Sequence, residues 1–289
     1  MPARANNWGR WGKDDERGTL NLLTPELVKK AAHLVKTGKV YSLAVPLAKD
    51  GPIVTSRHKT WHVMCSYTNE EFEGGRGSAD DILFMHTHGT THIDALSHYW
   101  YDGKMFNGWP GAEVNMIEGA KRNAIHNVRG IVGRGVLLDI ARFKGVRHLQ
   151  KFEPVHAADL EACAKAQGVA IQPGDILLVR TGWYQLFNEN RALHDSGYPG
   201  LDGDCGDWLG QHDIVAAGAD NAAVEVYPLP VQGRLPVHKK MLRDWGGYLL
   251  EYLDLEELAR DKTYECLFMA APLRIMNGVG SPLNPLAIA

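Results

Sequence analysis

Hydrophobic and polar positions alternate along this chain in short blocks, a pattern that predicts many brief strands and few helices. Thr24, Pro25 and Glu26 form a helix start: an N-cap, a proline at the first helical position and an early acid. The residues after them predict a surface helix that ends at Gly38. A second helix is predicted over residues 158–167, where alanine, leucine and cysteine share one face that suits packing against a sheet.

Five apolar blocks are short enough to be strands. They are residues 40–47, 81–85, 135–140, 175–183 and 267–275. Pro46 closes the first block, and Pro272 indicates that the last one ends there or lies at a sheet edge. Residues 188–210 contain five glycines and little periodicity, so they are predicted to form a long loop, either a lid or a subunit contact.

Strands outnumber helices in this pattern and alternate with them irregularly. This favours an α/β fold of mixed type, a strand-rich domain with a barrel-like β core and flanking helices, over a doubly wound sheet. A length of 289 residues fits one large core, and we expect a single domain over residues 1–289.

Composition and charge narrow the class of function. Hydrophobic residues make up 45% and charged residues 22%, as in soluble globular proteins. The 31 basic and 34 acidic residues are interspersed, with no basic block of the kind that follows phosphates, so nucleic acid is not an expected partner. No apolar signal segment begins the chain and no run approaches the roughly 18 apolar residues of a membrane span, so we expect a cytoplasmic protein with no membrane partner.

The four cysteines, Cys65, Cys163, Cys205 and Cys266, are widely spaced and form no CxxC pair. Neither a disulfide framework nor a thiolate zinc site is therefore indicated. A bound metal would need nitrogen and oxygen ligands. No glycine-rich stretch forms GxGxxG after a strand or GxxxxGK, so a nucleotide site is not supported.

Histidines cluster in MHTHGTTHIDALSHYWYDG, which contains four of the thirteen histidines of the chain: His86, His88, His92 and His98, with Asp94 among them. Imidazole and carboxylate bind zinc, manganese or ferrous iron when no thiolate is available. In an extended segment, residues an even number apart share a face, so all five can point one way. Without a metal, four imidazoles together would repel when protonated and need several partners when neutral, which favours a metal site.

The segment HGTTHIDALSH resembles the signature of the cyclase family of metal-dependent hydrolases, which includes bacterial kynurenine formamidases and isatin hydrolase-like proteins. The resemblance implies that His88, His92 and Asp94 bind metal, that His98 is the catalytic acid or base, and that His86 is not used. It implies two further ligands from the C-terminal third, His238 and Glu251, and a swivelling β/β/α fold. It also implies a homodimer or homotetramer.

The resemblance extends to WGKDDERGTLNLLTPE, PGDILLVRTGW, GADNAAVE and APLRIMNGVGSPLNP, and it makes this chain a long-form member. Leu96 stands where the kynurenine formamidase branch has proline, and the DALSH form is closer to the isatin hydrolase-like branch. The family places Asp220 and Asn221 near the site. The alternative for both is a turn in which they satisfy their own backbone.

One or two divalent ions, Zn2+ or Mn2+, would lower the pKa of a bound water to about 7 for attack on an amide, lactam or ester carbonyl. His98 would then supply the proton that the leaving group needs. Tyr99, Trp100 and Trp61 are candidates for an aromatic substrate wall, with core packing as the alternative. A metal-dependent cyclase or dehydratase, and a non-catalytic protein with a structural metal, remain the rival interpretations.

Overall fold

The computed structural model describes residues 4–54, 56–67, 78–227 and 235–289. The strands are β1 (Val40–Ser42), β2 (Trp61–Tyr67), β3 (Ala79–Phe84), β4 (His92–Asp94), β5 (Val114–Asn115), β6 (Gly119–Ala120), β7 (Ile131–Asp139), β8 (Pro154–Val155), β9 (Ile176–Arg180), β10 (Gly200–Leu201), β11 (Ala216–Ala219), β12 (Tyr248–Glu251), β13 (Glu265–Ala270), β14 (Gly280–Pro282) and β15 (Leu286–Ile288).

The α-helices are α1 (Pro25–Ala32), α2 (Ile140–Phe143), α3 (Ala157–Gln167), α4 (Leu186–Glu189), α5 (Arg191–His194), α6 (Asp204–Gln211), α7 (Pro236–His238) and α8 (Glu256–Arg260). Short 3-10 helices cover Gly18–Leu22, Phe106–Gly108, Gly111–Glu113, Ile125–Asn127 and Trp183–Gln185. A π-helix, Lys239–Trp245, continues α7 without a break.

Nine of these strands form one curled, half-barrel sheet in the order β1-β15-β13-β7-β9-β11-β12-β4-β14. The four central strands, β7, β9, β11 and β12, are parallel, and the strands on either side of them pair antiparallel. Every residue of β9, β11 and β12 is buried, which explains why their sequences do not alternate and consist of apolar or small residues apart from the terminal Arg180 and Glu251. The predicted mixed, strand-rich α/β fold with a barrel-like core is confirmed.

The predicted helix after Thr24 forms, and the Thr24 hydroxyl accepts a hydrogen bond from the Leu27 amide as an N-cap should. The helix ends at Ala32, however, and not at Gly38. The amides of Thr37 and Gly38 donate to the carbonyl of Ala289 at 3.0 and 2.7 Å, so the chain leaves the helix early in order to pair with the C-terminus. The prediction was therefore one and a half turns too long.

The prediction of a long loop over residues 188–210 is wrong, because α5, β10 and most of α6 lie there. The glycines of α6 serve close packing and do not break the helix. A Cβ on Gly210 would lie 2.0 Å from the Trp245 ring, and one on Gly206 would lie 2.7 Å from the Cβ of Lys240. Glycine lets α6 approach the π-helix, so the glycine content was misleading as a loop signal.

The predicted strand over residues 81–85 exists as part of β3, but it stands outside the large sheet. Of the described strands, β2 is the one that pairs with it, and its six residues are all exposed, including the apolar Ile82, Leu83 and Phe84. In the ranges that the structure covers, no helix has both the length and the apolar character that crossing a bilayer would require.

Candidate metal centre and active site

Strand β4 lies at the centre of the site. His92 and Asp94 are two residues apart on it and share one face, while Ile93 between them is fully buried in the core. The pairing of β12 with β4 sets Glu251 directly opposite His92, and the pairing of β14 with β4 sets Gly280 opposite Asp94. Three segments that are far apart in sequence thus meet at this short strand.

His88 comes from the turn before β4, and its ring fills the space above Gly280. A Cβ on Gly280 would lie 2.4 Å from the Nε2 atom of His88, which no real side chain could occupy without moving the ring. Glycine at this position of β14 therefore makes room for the imidazole beside Asp94.

His238 ends α7 and points into the same centre. Its Nδ1 lies 2.6 Å from Oε1 of Glu225, and the same carboxylate accepts the backbone amides of Val237 at 3.0 Å and His238 at 3.1 Å. Glu225 is fully buried. It therefore fixes both the start of α7 and the orientation of the His238 ring.

Five side chains from these segments converge. From Asp94, the Oδ1 atom lies 3.3 Å from His88 Nε2 and 3.6 Å from His92 Nε2, and the Oδ2 atom lies 3.5 Å from His238 Nε2. Glu251 lies 3.2 Å from His92 and 3.3 Å from His238 through its two oxygens. The predicted ligands His88, His92, Asp94, His238 and Glu251 are therefore brought together, all of them buried.

Four polar atoms at this centre are buried and have no hydrogen-bond partner among the described residues: Nε2 of His88, Nε2 of His92 and both carboxylate oxygens of Asp94. Buried polar atoms are normally satisfied, so this convergence calls for a ligand. A divalent cation is the ligand that would satisfy imidazole and carboxylate lone pairs together, and the residues fit one.

The far side of each imidazole is already engaged. Nδ1 of His92 donates to the carbonyl of Thr90 at 2.6 Å, and Nδ1 of His88 lies 3.1 Å from the Thr87 hydroxyl. Nδ1 of His238 is likewise engaged, by Glu225. These three contacts hold the rings of His88, His92 and His238 so that the Nε2 atom of each faces the centre. Metal-binding histidines are oriented in this way.

The charge balance of the centre points the same way. Burial alone would raise the pKa of Asp94, but the neighbouring imidazoles of His98, His238 and His88 hold it well below its usual value. For His238, burial lowers the pKa and the carboxylates of Asp94, Glu225 and Glu251 outweigh it, so the pKa is raised well above the usual value. The partners of these carboxylates among the described ion pairs are histidines, so compensating positive charge must come from protons or from a cation.

His98 follows β4 and stacks on His88, with ring centroids 4.0 Å apart. Burial lowers the pKa of His98, which keeps its imidazole neutral near pH 7. Its Nε2 is 3.9 Å from Asp94 Oδ1, and the donor atoms of His88, Asp94 and His98 lie within 4.8 Å of one another. The geometry therefore allows His98 either a proton-transfer role or a ligand role.

A cavity of about 530 Å3 opens onto His98, His238 and Glu251. Its other described lining residues are Val54, Ser56, Arg57, Asp195, Ser196, Gly197, Tyr198, Ala222, Ala223, Tyr227 and Leu235. Apolar and aromatic walls with a few polar groups are typical of small-molecule sites of this size. Tyr99 packs edge-on against the His238 ring with centroids 6.0 Å apart, and it is not among the described residues that line the cavity.

The other predicted substrate residues lie elsewhere. Trp61 is 54% exposed on β2, and Trp100 covers Gly111. Asp220 accepts hydrogen bonds from Thr181 and Gly182, and Asn221 donates to the Pro199 carbonyl at 2.5 Å. Both Asp220 and Asn221 are fully buried, and these hydrogen bonds join their turn to two other segments of the chain. Neither residue is among the described residues that line the cavity.

Two residues of the centre were not singled out from the sequence, Glu225 and Gly280. Their segments, GADNAAVE and GVGSP, belong to the resemblance, but nothing in their spacing shows which histidine they serve. His86, which the family pattern leaves out, stacks on His58 with centroids 5.9 Å apart.

Comparison with known proteins gives a family and a fold. A model of the family described as "Putative cyclase" matches residues 41–226. The crystal structure of a novel cyclase is 39% identical in sequence and superimposes with a TM-score of 0.90, covering 99% of this chain and 100% of its own. A search of curated proteins returned no match to this chain.

More distant structures share the fold. An isatin hydrolase A from Ralstonia solanacearum is 23% identical, with a TM-score of 0.65 over 92% of this chain and 98% of its own. A predicted metal-dependent hydrolase from Bacillus stearothermophilus is 20% identical, with a TM-score of 0.59 over 86% of this chain and 97% of its own. At these identities the likeness concerns the fold alone.

Proposed function

This chain belongs to the family described as "Putative cyclase", and on that premise we propose that it is a metal-dependent hydrolase of small amide, lactam or ester substrates. One observation carries the proposal: four unpartnered polar atoms of His88, His92 and Asp94 converge beside a cavity that His98 also faces. The isatin hydrolases of the same fold give the lactam class as a precedent.

His88, His92 and Asp94 would hold one ion, and His238 and Glu251 would hold a second together with Asp94. The donors are nitrogen and oxygen only, a set that suits Zn2+ or Mn2+. When bound, a divalent ion supplies Lewis acidity that polarises a carbonyl and makes water more acidic. Asp94 and Glu251 stay ionised for this purpose, because the surrounding imidazoles lower the pKa of both despite burial.

His98 would move the proton. Because burial keeps its imidazole neutral near pH 7, it can accept a proton from the attacking water and then donate it to the leaving nitrogen or oxygen. His98 lines the cavity and its Nε2 is 3.9 Å from Asp94 Oδ1, and this position at the border of the two supports the proposed role. The tyrosines Tyr198 and Tyr227 on the cavity wall, with ring centroids 6.2 Å apart, favour an aryl substrate.

The test is product analysis with metal-loaded protein. Formanilide, isatin and phenyl acetate represent the amide, lactam and ester classes, and hydrolysis of any of them gives products that together weigh one water more than the substrate. We expect at least one to turn over, with His98→Ala reducing kcat by about 10^2 to 10^4-fold. Loss of water from a substrate with no hydrolysis would move the function to a cyclase or dehydratase, and no turnover by a metal-loaded protein would contradict the proposal.

A further inference from the structure

Arg57 is the one lysine or arginine among the described residues that line the cavity. Its backbone amide donates to the Val54 carbonyl at 3.0 Å, and both residues line the cavity. Its Nη1 donates to the carbonyl of His88, so the guanidinium lies against the segment that supplies a proposed metal ligand.

Within the ranges that the structure covers, the side chain of Arg57 uses little of its hydrogen-bonding capacity. Arginine carries five N–H donors in a planar fork, and the contact with His88 uses one nitrogen. Among the described residues no carboxylate forms an ion pair with Arg57. Asp195 also lines the cavity, but it is already paired, with Arg191 at 3.2 Å and with His194 at 2.7 Å. Within the described part of the cavity wall, the guanidinium of Arg57 is therefore a cation without a carboxylate partner.

We propose that Arg57 is a specificity-determining residue that binds a carboxylate of the substrate, so that the preferred substrate is an aryl amide, lactam or ester carrying an acid group. A guanidinium fork matches a carboxylate in a bidentate arrangement, and such a charge-assisted contact is stronger than a neutral hydrogen bond. With the acid group on Arg57, the rest of the molecule extends toward His98 and Glu251 across a cavity of about 530 Å3. The part of this proposal that concerns the reaction rests on the proposed hydrolase function, whereas the binding of an acid group by Arg57 does not depend on it.

A competing role for Arg57 is to hold the His88 segment in place through its carbonyl, which would affect every ligand equally. The probes must therefore differ only in the acid group and must resist hydrolysis. 4-Acetylbenzoate and acetophenone meet both conditions, since each presents an aryl carbonyl and only the first carries a carboxylate. Binding is measured by titration calorimetry on the metal-loaded full chain.

We expect wild type to bind 4-acetylbenzoate more tightly than acetophenone. Arg57→Gln should weaken 4-acetylbenzoate by about tenfold to a hundredfold and leave acetophenone unchanged, because only the first loses a charge-assisted contact. Arg57→Lys should restore part of the preference, since it keeps the charge without the fork. Arg129→Gln, which removes an exposed arginine from a different cleft, is the matched control and should change neither affinity.

The proposal is overturned if wild type shows no preference, if the preference survives in Arg57→Gln because the carboxylate binds the metal directly, or if both ligands weaken equally. Failure of the proposed hydrolase function is a separate observation, since it would appear as absent turnover of formanilide and isatin while the binding preference could still be read.

Discussion

At the scale of single residues, the centre depends on what each imidazole does with its second nitrogen. His92 uses a backbone carbonyl and His88 lies by a threonine hydroxyl, whereas His238 alone has a carboxylate, Glu225, behind it. A carboxylate makes the imidazole a more basic ligand and locks its tautomer. His238 is thus the most strongly oriented of the three histidines.

Replacing Glu225 by glutamine should therefore weaken metal binding by about tenfold to a hundredfold. The amide keeps the shape but places an NH2 group where one of the three N–H donors needs an acceptor. The measurement is a competition titration of zinc against a chelator. Glu265→Gln, which removes a half-exposed carboxylate paired with Arg134, is the control, and equal affinities for the two variants would contradict this role.

The sequence predicted part of this residue set directly. The density of histidines from His86 to His98 indicated a metal site from local chemistry alone, whereas His238 and Glu251 were reached only through the family resemblance. Glu225 acts through the amides of Val237 and His238, at the start of a helix twelve and thirteen residues away. Such a contact depends on how the backbone folds, so the spacing of residues along the sequence does not reveal it.

At the scale of elements, each of the five apolar blocks contains or overlaps a strand, β1, β3, β7, β9 and β13, and the predicted helix between β7 and β9 is α3. Strand β4 could not be predicted as a separate element, because it has three residues and lies inside a segment of turns. The prediction for α6 failed for a different reason: its glycines are packing positions against the π-helix. Glycine content alone does not distinguish a mobile loop from a close helix contact.

Gly210→Ala should destabilise the protein by about 1 to 3 kcal/mol, because the added methyl would overlap the ring of Trp245, which is 1% exposed and has little room to move. Chemical denaturation of metal-loaded protein gives the free energy of unfolding. Gly130→Ala is the matched control, since its Cβ would meet one atom at 3.9 Å, and it should stay within about 0.5 kcal/mol of wild type. Two variants of equal stability would refute the packing role of Gly210.

At the scale of the whole molecule, the strand order explains the site. Strand β4 lies in the first half of the chain, whereas its two neighbours in the sheet, β12 and β14, lie near the end. Their pairing therefore brings together ligands that are far apart in the sequence. Local pattern predicted a curled, mixed sheet but carried no information about this order. The expectations of a homodimer or homotetramer and of a cytoplasmic location stay predictions.

The central claim is that the converging side chains hold a metal and that His98 works beside it. The most direct test is elemental analysis of purified wild type, Asp94→Ala and His98→Ala after incubation with zinc or manganese and removal of excess ion. Asp94 lies beside His88 through one carboxylate oxygen and beside His238 through the other, so its loss should affect both proposed ion positions. We therefore expect one or two equivalents of metal in wild type, almost none in Asp94→Ala and the wild-type content in His98→Ala. A metal-free wild type, or an Asp94→Ala protein that keeps its metal, would contradict the account, and loss of metal from His98→Ala would make His98 a ligand.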